Sequence, residues 1–139
     1  MKYCFEIIKT DAGYVGRVPD LDLETKPMPS EDEAAGLVGK GASAYMEVEY
    51  RRRRKPIPLP SAPLKTGGRA LFIPVKGQLR ILLWNALLER HMTQAELASR
   101  LGMSRAQAGK FFRDASGVSV EKYEEALAVL GLHAGVVLE

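Results

Sequence analysis

Four basic side chains, Arg100, Arg105, Lys110 and Arg113, stand between positions 100 and 113 with no acid among them. Guanidinium and ammonium groups spaced in this way can pair with phosphates and read the edges of bases. The whole chain carries 20 basic and 17 acidic residues for a net charge of +3, so the excess is local rather than general. Residues 93–113 around these cations read as a helix-turn-helix. Leu97, Ala98 and Leu101 fall on one face of a first helix at three- and four-residue spacings, and Gly102 stands where that helix must stop. Met103 is expected to pack inward and Ser104 to cap a second helix with Ala108, Phe111 and Phe112 on its core side. Arg105, Ala106, Gly109, Lys110 and Arg113 are then its outward, DNA-facing positions, with Ser104 at its start and Gln94 at the start of the helix before. Small Ala98 and Ala108 let two helices cross closely over a short turn. A helical packing module whose charges are merely solvated is the plain alternative.

Other reactive residue types are more scattered. Asp20, Asp22 and Glu24 alternate along one short stretch, as metal-binding carboxylates of a nuclease could, but alternating acids on a strand edge are ordinarily solvated. His91 and His133 each stand alone near a helix end, too isolated for a metal site. Cys4 has no partner for a disulfide and reads as a small apolar strand residue, with a reactive thiol as the alternative. Residues 51–55, four arginines and a lysine, suit the negative end of a helix dipole; the sharper reading is a phosphate-binding patch beside bound DNA. No residue has the setting of a catalytic group, and no cofactor is expected.

The elements that must position these residues fall into two sets. In the N-terminal half, Tyr3, Phe5 and Ile7 alternate with Cys4, Glu6 and Ile8; a turn at residues 11–13 leads to a second strand, residues 14–18. A third extended segment is expected from about Leu21 to Thr25, closed by Pro27 and Pro29. Ser30 and Glu33 form a capping box, opening a helix with Ala34, Val38, Gly41, Tyr45 and Val48 as its buried stripe, widened by Leu37 and Ala42. Residues 69–74 read as a fourth strand returning to the sheet. In the C-terminal half, Leu79, Leu82, Leu83, Ala86 and Leu87 give a helix one buried stripe, and Ile81, Trp84 and Leu88 give it a second. A helix apolar on two faces needs two partners, here the helix-turn-helix and a second subunit. Ser119 opens a last helix with Val120, Tyr123, Leu127 and Leu130 on one face and Gly131 as its stop. The β-branched Val136 and Val137, with Leu138, invite pairing in a dimer.

Length, with 46% hydrophobic residues, suits two small domains, residues 1–74 and 75–139, divided by the proline-rich stretch 56–63 and by Gly67 and Gly68. No apolar run approaches the roughly 20 residues that span a bilayer, and charges interrupt any leader-like start, so a reducing cytoplasm is expected.

In the order of its motifs the chain resembles the HicB antitoxins of bacterial toxin–antitoxin pairs. The resemblance rests on Met1-Lys2-Tyr3, on Gly13-Tyr14-Val15 leading into Pro19-Asp20-Leu21, on Glu33-Ala34-Ala35 and on residues 56–61. It continues through Phe72-Ile73-Pro74-Val75, residues 82–88 and residues 93–98. Many relatives read Pro-Gly-Cys and then Thr-x-Gly after the second strand, where this chain has Asp22-Leu23-Glu24-Thr25-Lys26-Pro27-Met28-Pro29. The resemblance implies an α+β chain: a partial, degenerate ribonuclease H-like sheet with a covering helix, followed by an all-α, lambda-repressor-like helix-turn-helix domain. It also implies a small HicA-like ribonuclease toxin as partner and assigns no toxin-contacting residues, while the helix-turn-helix residues themselves lead one to expect operator DNA as a second partner and a homodimer or higher homo-oligomer. Two other functions are weighed against it: a one-component repressor whose N-terminal domain senses a small molecule, and an active nuclease.

Overall fold

The computed structural model describes residues 1–113 and 117–139. Two compact units interleave in sequence: residues Met1–Val48 with Pro58–Ile73, and residues Glu49–Ile57 with Pro74–Glu139. The fold is α+β, with the sheet in the first unit and the helix-turn-helix in the second.

The first unit is a four-stranded antiparallel sheet in the order β3-β2-β1-β4 with one long helix. Its strands are β1 (Lys2–Thr10), β2 (Gly13–Val18), β3 (Leu23–Glu24) and β4 (Arg69–Phe72). Strand alternation in β1 buries Tyr3 and Phe5, and a two-residue turn sets the register of Thr10 against Gly13. The fourth strand returns beside β1, Lys2 opposite Phe72, as the sequence leads one to expect.

Helix α1 (Glu31–Met46) begins as a capping box. The Ser30 hydroxyl oxygen accepts the Glu33 N–H at 3.2 Å, and three acids occupy the positive first turn. Helix and sheet pack closely because Gly16 has no side chain; a Cβ there would lie 2.5 Å from Val38 Cγ2. The buried stripe keeps the expected Ala34, Val38 and Ala42 but departs from the expected one beyond them. It runs Ala34, Val38, Ala42, Met46 in steps of four, while Gly41 and Tyr45 are half-buried and Val48 is 45% exposed. A four-residue row slants relative to the helix axis and follows a twisted sheet. Tyr45 instead donates its hydroxyl to the Asp22 carbonyl at 2.5 Å, and a π-helical turn, Glu47–Arg51, redirects the chain before Val48 could turn inward.

The third extended segment is also shorter than the sequence suggests. Pro19–Leu21 forms a 3-10 turn, whose proline has the right φ for a first helical position. Asp22 closes the turn with φ 52°, donating its N–H to the Pro19 carbonyl, so only Leu23–Glu24 remain as strand. Leu21 and Leu23 are nevertheless both buried. Beyond them, residues 25–28 continue along the edge of β2. Thr25 donates its N–H to the Gly16 carbonyl, and Tyr14 and Met28 exchange two backbone hydrogen bonds of 2.8 Å.

The proline-rich stretch, expected as a divider, is tied down. The Tyr3 hydroxyl donates to the Pro58 carbonyl at 2.6 Å, and Asp20 grips Ser61 and Ala62. One Asp20 oxygen accepts both backbone N–H groups at 2.9 Å and the other accepts the Ser61 hydroxyl at 2.7 Å. Partial burial pushes the Asp20 carboxyl up, but the three hydrogen bonds outweigh it and hold the pKa below its ordinary value.

The second unit packs α2 (Val75–Glu89), α3 (Gln94–Leu101), α4 (Arg105–Arg113) and α5 (Val120–Val129) around an aromatic core. Trp84 meets Phe112 edge-on with ring centres 5.5 Å apart, and Phe111 meets Tyr123 likewise at 5.2 Å. Tyr123 donates its hydroxyl to the Phe111 carbonyl, which keeps a buried polar tip satisfied. Leu82, expected in the core stripe of α2, is 37% exposed, whereas Ile81 and Trp84 of the second stripe are buried. Trp84 and its neighbour Asn85 pack against the chain's own Glu49–Ile57 segment. The Trp84 indole N–H donates to the Lys55 carbonyl at 2.9 Å. Asn85 brackets Ile57, accepting its N–H and donating to its carbonyl, both at 2.8 Å.

Candidate nucleic-acid interface

The helix-turn-helix is built by three local devices. Thr93 caps α3, its hydroxyl oxygen accepting the Glu96 N–H at 3.1 Å. Gly102 ends α3 with φ 66°. Its N–H reaches the Ser99 carbonyl and the next N–H, of Met103, reaches the Ala98 carbonyl at 2.9 Å, so the last carbonyls are satisfied and the chain reverses sharply. Ser104 then caps α4 reciprocally: its hydroxyl oxygen accepts the Gln107 N–H, while the Gln107 side chain accepts the Ser104 N–H at 2.9 Å. Leu97, Ala98, Ala108, Phe111 and Phe112 are buried, and Leu101 and Met103 are half-buried at the rim of that core.

This architecture leaves Arg105, Ala106, Gln107, Lys110 and Arg113 exposed along α4, with Gln94 half-buried at the head of α3. Gly109 is the exception among the outward positions. It is buried, because the Arg113 guanidinium folds back over it; a Cβ at Gly109 would stand 3.2 Å from that group. The glycine therefore seats an arginine one turn later instead of offering its own surface. Ser104 is exposed but committed to its cap.

The acids of the first unit do not converge. Asp20 holds residues 61–62, Glu24 pairs across strands with Arg17, and Asp22 is engaged through its backbone, by Pro19 and Tyr45. Among the described residues no cluster of three or more histidine, cysteine, aspartate or glutamate side chains is placed to hold a metal ion. His91 serves the backbone instead. With φ 52° it ends α2, its N–H reaching the Leu88 carbonyl while that of Met92 reaches Leu87. Among the described residues no helix is long and apolar enough to cross a membrane.

One residue that the motif itself does not contain lies at its edge. Arg54, Thr93, Gln94, Ala95 and Arg105 line a common cleft of about 320 Å³. Nothing in the spacing of residues 93–113 marks Arg54, since it arrives from a segment distant in sequence.

A capped pair of short helices joined by a tight glycine turn, the second with a basic exposed face, defines a helix-turn-helix protein, and the helix-turn-helix family model matches residues 85–137. The chain is also similar to antitoxins. It is 35% identical over 82 residues to Antitoxin HicB of Pseudomonas fluorescens (strain Pf0-1), a stretch covering 59% of this chain and 56% of that protein. Antitoxin HicB of Escherichia coli K12, and that of Escherichia coli O157:H7, are each 30% identical over 82 residues, 59% of either chain. The match spans little more than half the length of these relatives. The resemblance to HicB antitoxins read from the motifs thus stands, alongside a helix-turn-helix in the C-terminal part of the chain.

Proposed function

We propose that the chain neutralises a small HicA-like ribonuclease through its N-terminal sheet unit and represses its own operon through its helix-turn-helix, by binding and without catalysis. The observation that carries the second half of this reading is the exposed cationic face of α4, held by a capped and glycine-terminated turn. Arg105 and Lys110 approach base edges or adjacent phosphates in the major groove, while Gln94 and Arg113 hold the backbone, Arg113 seated on Gly109, with Ser104 and Ala106 close against the duplex. A single helix-turn-helix reads few base pairs, so a homodimer binds a palindrome whose half-sites lie about one helical turn, or a multiple of it, apart. The similarity to proteins named Antitoxin HicB supports the toxin-binding half.

Co-expression of the full chain with a HicA-like ribonuclease encoded next to its gene tests the first half: the expected outcome is that the two proteins copurify and the ribonuclease is silent, and the absence of any such frame counts against it. Binding of the purified chain to a duplex from the promoter of that gene tests the second, and Arg105→Ala costs about 1–3 kcal/mol if the side chain pairs with guanine. Absence of copurification, or unchanged promoter affinity in both Arg105→Ala and Lys110→Ala, overturns the corresponding half.

A further inference from the structure

The basic run at residues 51–55 is not simply a solvated helix end. Its last arginine is held in place. The chain turns tightly, with the Arg54 N–H donating to the Arg51 carbonyl at 3.0 Å and the Lys55 N–H to the Tyr50 carbonyl at 2.8 Å. The Lys55 carbonyl in turn accepts the indole N–H of buried Trp84, and the Arg54 guanidinium lies over the Trp84 ring, 6.0 Å from its centre. Arg54 adopts φ 55°, a backbone conformation that non-glycine residues enter only when their surroundings impose it. Arg53, by contrast, is paired one turn back with Glu49 at 3.4 Å.

Thus held, Arg54 borders the cleft that Gln94 and Arg105 also line, where the positive end of α3 opens. Among the described residues no carboxylate pairs with either Arg54 or Arg105. Two guanidinium groups facing one open cleft repel each other until an anion enters, and a planar guanidinium matches a phosphate better than any other side chain does. We infer that Arg54 is a DNA-phosphate contact supplied from outside the helix-turn-helix, and that the cleft between Arg54, Gln94 and Arg105 receives one phosphate of the duplex flanking the bases read by α4. This rests on the helix-turn-helix acting as the DNA-binding element. A phosphate contact strengthens binding to any sequence equally, whereas a base contact favours the operator.

The test measures affinity of the full-length wild type, Arg54→Ala, Arg54→Gly and Arg105→Ala for a promoter duplex and for a random-sequence duplex of equal length, over a range of salt. Arg54→Gly accommodates the positive φ, so it removes the charge without imposing strain. The inference predicts that both Arg54 variants weaken binding to the two duplexes alike, roughly tenfold at low salt. It also predicts a dependence of log K on log salt shallower by about one unit, with folding of the glycine variant intact by its melting temperature. If the wild type binds DNA and Arg105→Ala weakens it while the Arg54 variants keep affinity and salt slope, Arg54 only packs on Trp84 and the inference falls alone. If the wild type binds neither duplex, the helix-turn-helix reading falls with it.

Discussion

Single residues with unusual backbone or spacing have two different origins here. Gly16 and Gly102 are there because something else needs the room or the conformation. A Cβ on Gly16 would press into Val38, so Gly16→Ala should force α1 off the sheet at a cost of about 1–3 kcal/mol in thermal or denaturant unfolding. His91 acts as a glycine would without being one, ending α2 at φ 52°. Replacing it by glycine exchanges roughly 1–2 kcal/mol of left-handed strain for a smaller entropic penalty. His91→Gly should therefore raise the melting temperature by a few degrees; a lower one would show that the imidazole makes a stabilising contact. Arg54 shares the left-handed conformation but lines a cleft with Gln94 and Arg105, whereas His91 lies at a helix end.

Among the elements, those whose boundaries depend on neighbouring residues were legible in the sequence. Ser30, Ser104 and Ser119 each cap the helix that follows, and Gly102 and Gly131 each end one, because caps and left-handed stops act over three or four positions. What escaped was set across long separations. The segment around residues 58–62 reads as a linker from its prolines, yet Tyr3 and Asp20 hold it with hydrogen bonds spanning 41 to 55 positions. The stripe of α1 shifted because the sheet, not the helix, selects the row that is buried. Asp20 offers a direct check on that clamp. Its pKa lies below the ordinary value, so its contribution to stability is complete above the unfolded-state pKa and is lost as pH falls through the folded-state pKa. The stability gap between wild type and Asp20→Asn should therefore be widest near neutral pH and close in acid. A gap that stays constant across that range would mean that the carboxylate charge is not what holds Ser61 and Ala62.

At the scale of the whole molecule, the two units interleave, since Glu49–Ile57 pack with the helices while Pro58–Ile73 return to the sheet. Composition suggested a single break near residue 74; it gave no hint of the excursion, because Trp84 and Asn85 look apolar and neutral in sequence and show their partners only in three dimensions. The cationic positions of α4 could be read in advance because helical periodicity separates inward from outward residues, whereas Gly109 and Arg54 depend on where a long arginine side chain folds. The central proposal is that one chain joins an antitoxin surface to a separate DNA-reading surface on α4. It is tested most directly by placing the double variant Arg105→Ala, Lys110→Ala in cells that express a HicA-like ribonuclease and carry a reporter driven by the promoter of the chain's own gene. The variant is expected to protect the cells from the toxin as the wild type does, while the reporter is derepressed. Full repression by the variant would contradict the proposal, and so would loss of toxin protection in a variant that folds and accumulates like the wild type.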